Sequence, residues 1–228
     1  RRHLAKVLAA GLGLWLLGMG ALVLLHGLQG TLTQMGWFFT KAALLTFGGA
    51  YAVLPYVYQG AVAHFAWLTP AQMIDGLALG ETTPGPLIMV VAFVAFVGGW
   101  QSGELAALFG EQRFAAAALA AVLVTWFTFL PSFVFILAGG PLVESTHGDL
   151  KFTGPLTAIT AAVVGVIVNL ALFFGQHVLW PQGFPGRFDA AAALLALAAA
   201  LALFRFQRGV IEVIAFSAAI GLAIHLLR

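Results

Sequence analysis

Glu81-Thr82-Thr83-Pro84-Gly85-Pro86 places a carboxylate, two hydroxyls and two prolines within one short stretch. Each proline lacks an N–H and clashes with the preceding turn, so no regular α-helix runs through it. The residue before each proline is pushed towards extended backbone. A helix that restarts after Gly85 exposes its first N–H groups, which carry partial positive charge and suit an anion. Thr82 and Thr83 add hydroxyl donors, and Lys41 adds a full positive charge. Gly48 and Gly49 let a second stretch of backbone approach closely. Together these residues read as a site for a small anion, with Pro84 and Pro86 as its structural break. A Glu81 carboxylate repels an anion unless it is protonated. Proton coupling is therefore expected: Glu81 is neutral with the anion bound and ionised when it leaves. The plainer reading, a structural proline kink, does not call for a carboxylate and two threonines at the same spot.

The elements that hold such a site are expected to be half-helices. Apolar segments flank the break, Ala71–Gly80 before it and Leu87–Val97 after it. Each has about 10–13 residues, against the roughly 20 a membrane-spanning helix needs. Further interruptions fall at Phe47-Gly48-Gly49, Pro55, Trp67-Leu68-Thr69-Pro70 and Gly98-Gly99. The pattern is that of a re-entrant hairpin or a discontinuous helix. Irregular backbone at membrane depth is tolerated where it is buried in protein or lines a cavity. Transporters use such breaks to aim helix N-termini at anions.

Composition supplies the setting. The 228 residues are 62% hydrophobic and 8% charged, with a mean hydropathy of +1.03. Soluble domains average about 45–50% apolar and about 25% charged. A disordered chain, a nucleic-acid-binding domain and an ordinary soluble enzyme are excluded, and a chain in the lipid bilayer remains. A formal charge of +2 is too balanced for a polyanion binder. With no cysteine there is no disulfide, thiolate metal site or Cys nucleophile. No metal or cofactor site is read. Five segments are expected to span: Val7–Leu25, Phe114–Ala138, Leu156–Leu179, Ala190–Phe204 and Val210–Leu227. The first is taken as a retained span rather than a signal peptide, since no A-x-A-like cleavage site follows. The chain opens on Arg1, so it is taken as processed or as part of a longer protein. The last two spans form a tight hairpin through Phe204–Arg208. The whole is expected to be one transmembrane domain: a leading span and linker over 1–30, a motif-bearing core over 31–138, and C-terminal spans over 139–228.

Other charges have plainer readings. Glu104, Glu111 and Arg113 fall in one polar connection, and Glu144, His147, Asp149 and Lys151 in another. Arg187 and Asp189 follow a Pro/Gly-rich turn; all of these are read as solvated loops. Asp75 is read as interfacial, and Glu212 as pairing with Arg208 at i,i+4. For Lys41 the alternative is snorkelling to an interface along its apolar stem. The histidines fall at span ends or loops. The Ala-rich stretch Ala190–Ala202 is read as a surface for close helix packing.

The ordered set of motifs resembles the chromate ion transporter family. Phe47-Gly48-Gly49-Ala50-Tyr51-Ala52-Val53-Leu54-Pro55 is similar to that family's FGGGYAVLP-type motif. Trp67-Leu68-Thr69, Asp75-Gly76-Leu77-Ala78-Leu79 and Thr83-Pro84-Gly85-Pro86-Leu87 resemble its next block in order and spacing. Leu130-Pro131-Ser132-Phe133 resembles a later LPS element. The resemblance covers about Phe47 to Phe133. It departs at Ala50, where a third glycine is common, and near Ala92, where many members carry Gln. It implies a carrier of chromate, a tetrahedral dianion like sulfate, in an inner (plasma) membrane. It also implies two homologous halves of opposite topology, so that this chain is half of an inverted repeat needing another half or a second subunit, as in a dimer. The resulting expectation is an all-α, polytopic membrane helical bundle with discontinuous or re-entrant half-helices. Its function would be oxyanion transport. The competing readings are a carrier of another small anion, a non-transporting membrane subunit, and an intramembrane hydrolase. The hydrolase has no G-x-S-x-G or H-E-x-x-H motif to stand on.

Overall fold

A computed structural model of the chain describes residues 2–46, 49–110, 112–145 and 153–226. Among the described residues there are ten α-helices and no strand. In order they are α1 (Arg2–His26), α2 (Thr31–Leu45), α3 (Ala50–Tyr58), α4 (Pro70–Thr82), α5 (Val90–Gln101), α6 (Gly103–Leu108), α7 (Arg113–Ser145), α8 (Thr153–Leu179), α9 (Ala190–Phe204) and α10 (Val210–Leu226). The chain is an all-α membrane helical bundle. It divides within α8 into two units, Arg1–Leu170 and Ala171–Arg228.

In the first unit α7 is the central post, and α1, α2, α5 and α6 pack against it. Small residues set the closest approach. A Cβ on Gly99 of α5 would sit 2.8 Å from the Ala120 Cβ and 3.0 Å from the Ala117 Cα of α7. Ala116 and Ala120 stand one turn apart on α7 and are fully buried. This is the small-residue contact by which membrane helices approach one another. Around it Phe39, Phe127, Met35, Leu32 and Val94 form a core closed to solvent. A second cluster forms where α3 runs into a π-helical turn, Gln59–His64. There Phe65 stacks on Trp67 at 4.4 Å, and Phe38 meets Trp67 edge-on at 5.6 Å.

Three of the five expected spans are long and apolar enough to cross a membrane: Arg2–His26, Arg113–Gly140 and Ala161–Leu179. In the second unit α9 and α10 have 15 and 17 residues. At 1.5 Å per residue they reach about 22 and 25 Å, short of about 30 Å of hydrocarbon. They form the expected hairpin, packed on each other. Pro55, expected to interrupt, sits inside α3 without ending it. Its effect is local, because it withholds the N–H that would bond the Tyr51 carbonyl.

Candidate functional site

The break forms as the prolines require. Helix α4 opens on a capping box: Thr69 Oγ1 accepts from the Gln72 N–H at 3.2 Å, and Gln72 Oε1 accepts from the Thr69 N–H at 2.9 Å. Pro70 stands at its first turn, where no N–H is needed. Thirteen residues later the helix stops, with Thr83 extended at φ −88°, ψ 128° ahead of Pro84. Pro86 is extended too, at φ −71°, ψ 127°. A single 3-10 turn, Leu87–Met89, then leads into α5. The N–H groups of Leu87 and Ile88 open this helix and have no earlier turn to donate to. The break therefore lies between two half-helices, as expected.

The two threonines are placed differently from the expectation. Thr82 Oγ1 donates to the Ala78 carbonyl at 2.8 Å, and Thr83 Oγ1 to the Leu79 carbonyl at 2.6 Å. Their protons finish α4 instead of facing a ligand, because a helix end leaves carbonyls without partners. Glu81 is exposed, and its Oε1 accepts a hydrogen bond from the Tyr51 hydroxyl at 2.7 Å. That bond ties α3 to the last turn of α4 across thirty residues of sequence.

A cavity of about 460 Å3 collects the motif segments. Thr46, Gly49, Ala50 and Tyr51 line it from the link between α2 and α3. Pro86, Leu87 and Ile88 line it from the restart of the broken helix, and Thr128, Phe129, Ser132 and Phe135 from α7. Gly49 has φ +110°, which L side chains rarely adopt, and it caps the start of α3. A Cβ there would meet nothing within 4 Å. Gly49 thus serves backbone shape and not the close approach expected of it. Gly85 has open space around it as well. It lies in a second cavity on the break, lined also by Thr83, Pro84, Met89 and Phe93. Phe47 and Gly48 lie outside the described residues.

Lys41 is not brought to this place. It lines a separate cavity of about 360 Å3 with Trp15, Thr33, Trp37 and Phe65, and its Nζ stands 5.8 Å from the centre of the Trp37 ring. Among the described residues no lysine or arginine lines the motif cavity. Asp75 is exposed on α4. Arg208 and Glu212 form no ion pair, although both line a cavity with α9. The i,i+4 rule does not reach them, because α10 begins at Val210 and Arg208 precedes it. Glu104 is more than a loop charge. It accepts from the Thr31 N–H at 3.0 Å and from its hydroxyl at 2.7 Å, capping α2. Asp189 likewise caps α9 by accepting from the Ala192 N–H at 2.9 Å. Glu144 lies within α7, while His147, Asp149, Lys151 and Glu111 fall outside the described residues.

The family model described as "Chromate transporter" matches residues 33–222, which takes in every wall of the motif cavity. The chain belongs to the chromate transporter family. A chromate transport protein of Cupriavidus metallidurans is 30% identical over 178 residues, covering 78% of this chain and 38% of that protein. A chromate transport protein of Pseudomonas aeruginosa is 34% identical over 142 residues, covering 60% of this chain and 30% of that protein. An uncharacterized transporter of Bacillus subtilis, YwrA, is 34% identical over 86 residues, covering 37% of this chain and 48% of that protein. The chain thus spans about a third of the length of the first two relatives. No solved structure matches it. Within this chromate transporter family chain, Thr46, Tyr51, Thr128 and Ser132 are the hydroxyl-bearing cavity residues that sequence reasoning did not single out. Tyr51 and Ser132 stood inside quoted motifs. Nothing in the local sequence distinguishes Thr128.

Proposed function

We propose that this chain is the binding half of a membrane carrier for a tetrahedral oxyanion, chromate foremost, and that the motif cavity is its site. The observation that carries the reading is convergence. Gly49–Tyr51, Pro86–Ile88 and Thr128–Ser132 are far apart in sequence and line one cavity. The N–H groups of Leu87 and Ile88 supply the partial positive charge. Gly49 shapes the facing backbone, and Pro84, Gly85 and Pro86 hold the break open. Thr82 and Thr83 terminate α4, and Lys41 belongs to its own cavity. The names of the Cupriavidus and Pseudomonas relatives support chromate as the substrate. A homologous half or second subunit completes the carrier in the inner (plasma) membrane.

Glu81 is the proton-coupling group in this reading. Ionised, it repels a dianion and holds the Tyr51 hydroxyl at 2.7 Å. Protonated, it no longer repels, and it frees the phenol to turn into the cavity that Tyr51 lines. The test is chromate flux into vesicles carrying the complete carrier, with and without excess sulfate, at two pH gradients. Flux blocked by sulfate and altered by the gradient is expected. Glu81→Gln keeps the flux and loses its response to the gradient. An unchanged response in that variant retires Glu81 as the proton carrier. Absence of flux from folded wild-type carrier points to a non-transporting subunit, and flux of a different anion to a different carrier.

A further inference from the structure

Several threonines within these helices or at their C-caps share a habit. Thr40, Thr46, Thr82, Thr83 and Thr125 each donate the hydroxyl proton to the carbonyl four residues back, at 2.6–2.8 Å. Thr128 does not. It lies in mid-helix on α7, with Val124 one turn behind it. It is 4% exposed, and its hydroxyl has no hydrogen-bond partner. Burying a hydroxyl unpaired is destabilising, so each such group calls for a reason. Thr33 is the other one among the described residues, and it lines the separate Lys41 cavity. It stands in the first turn of α2, where the carbonyl four back belongs to Gln29, outside the helix. Thr128 has a helical carbonyl behind it and leaves it alone.

Thr128 lines the motif cavity, and Ser132, one turn further along α7, lines it too. The same cavity holds the restart of the broken helix at Leu87 and Ile88. We infer that the Thr128 side chain, whose hydroxyl is closed to solvent in this structure, turns about χ1 to bring that hydroxyl into the cavity it lines and donates its proton to an anionic oxygen from the α7 wall. The inference rests on the oxyanion reading of this cavity. A hydrogen bond to a charged acceptor is about twice as strong as one between neutral groups. It also adds no fixed positive charge, which suits a carrier that must release its dianion. Among the described residues of the cavity wall there is no lysine or arginine, and neutral donors are what they offer.

The test compares wild type, Thr128→Val, Thr128→Ala and Thr128→Ser in the complete carrier. Chromate flux is measured over a concentration series in vesicles, with a thermal melt of each variant in detergent. Thr128→Val keeps the shape of the side chain and removes the donor. Its half-saturating chromate concentration is expected to rise about tenfold, the size of one hydrogen bond to a charged group. Its melting temperature stays at or above that of wild type, because the unpaired buried hydroxyl is gone. Thr128→Ser restores the wild-type concentration dependence, which a purely structural role would not require. Thr128→Ala gives the same reading should the valine variant fail to fold. Unchanged half-saturation in both variants that lack the hydroxyl, with an active wild type, overturns the Thr128 contact alone. A wild type without chromate flux overturns the oxyanion reading, and the Thr128 contact with it.

Discussion

Helices α5 and α10 are both short and almost wholly apolar, yet they are built into the molecule differently. Half of α5 is buried, at Val90, Val91, Val94, Ala95, Gly98 and Gly99. Not one described residue of α10 or of its partner α9 is buried. Apolar character does not account for the difference, since a lipid tail is as good a neighbour for leucine as another helix is. Fit does. Gly99 lets α5 settle against Ala116, Ala117 and Ala120 of α7, and Gly98 lets it approach Met35 and Trp67. The Ala-rich face of α9 meets α10 around a cavity of about 460 Å3, lined by Ala198, Ala199 and Ala202. Small residues on one helix therefore produce close packing only where the facing helix supplies a matching surface. The tightly fitted region is also the one that carries a broken helix, because neighbours can hold backbone that would not hold itself.

Substitutions at glycine sharpen that contrast. Gly99→Leu is expected to have the largest effect. Its Cβ alone already collides with Ala120 and the Ala117 backbone, so α5 must leave α7. The cost is about 3 kcal/mol, or roughly 6–12 °C in the thermal melt of the detergent-solubilised protein. Gly49→Ala comes next. There is room for the methyl, but φ +110° is strained for any L residue, at about 1–2 kcal/mol. The melt falls by a few degrees, and on the proposed function chromate half-saturation rises, since Gly49 lines the motif cavity. Gly221→Leu, in α10, is expected to change the melt least, by under about 0.5 kcal/mol, since nothing lies within 4 Å of its Cβ. A Gly221→Leu loss as large as that of Gly99→Leu would show that the C-terminal hairpin is packed as tightly as α5. A silent Gly99→Leu would remove the fit of α5 on α7 as the source of the difference.

Much of the fold is legible from local chemistry. Pro84 and Pro86 together end α4 at Thr82, where the single Pro55 leaves α3 running, so the break and its half-helices can be read from residues 81–86. Long apolar runs set the position of their helices, so α1, α7 and α8 contain the expected spans, although α1 begins five residues before Val7 and α7 runs seven residues past Ala138. Capping is less legible. Glu104 and Asp189 look like solvated loop charges until the helices they cap are in place, and Glu104 caps α2 from 73 residues away.

The sequence by itself therefore determined the membrane setting, the broken helix and the family, because each depends on residues adjacent in the chain or on their order. Only the tertiary structure decided which of those residues share a cavity. It drew Tyr51 onto Glu81, turned the Thr82 and Thr83 hydroxyls back on α4, set Lys41 beside Trp37, and left Thr128 unpaired on the cavity wall. Those outcomes depend on how α2, α5 and α7 pack together, and side-chain fit between distant helices leaves no periodic trace in a single sequence.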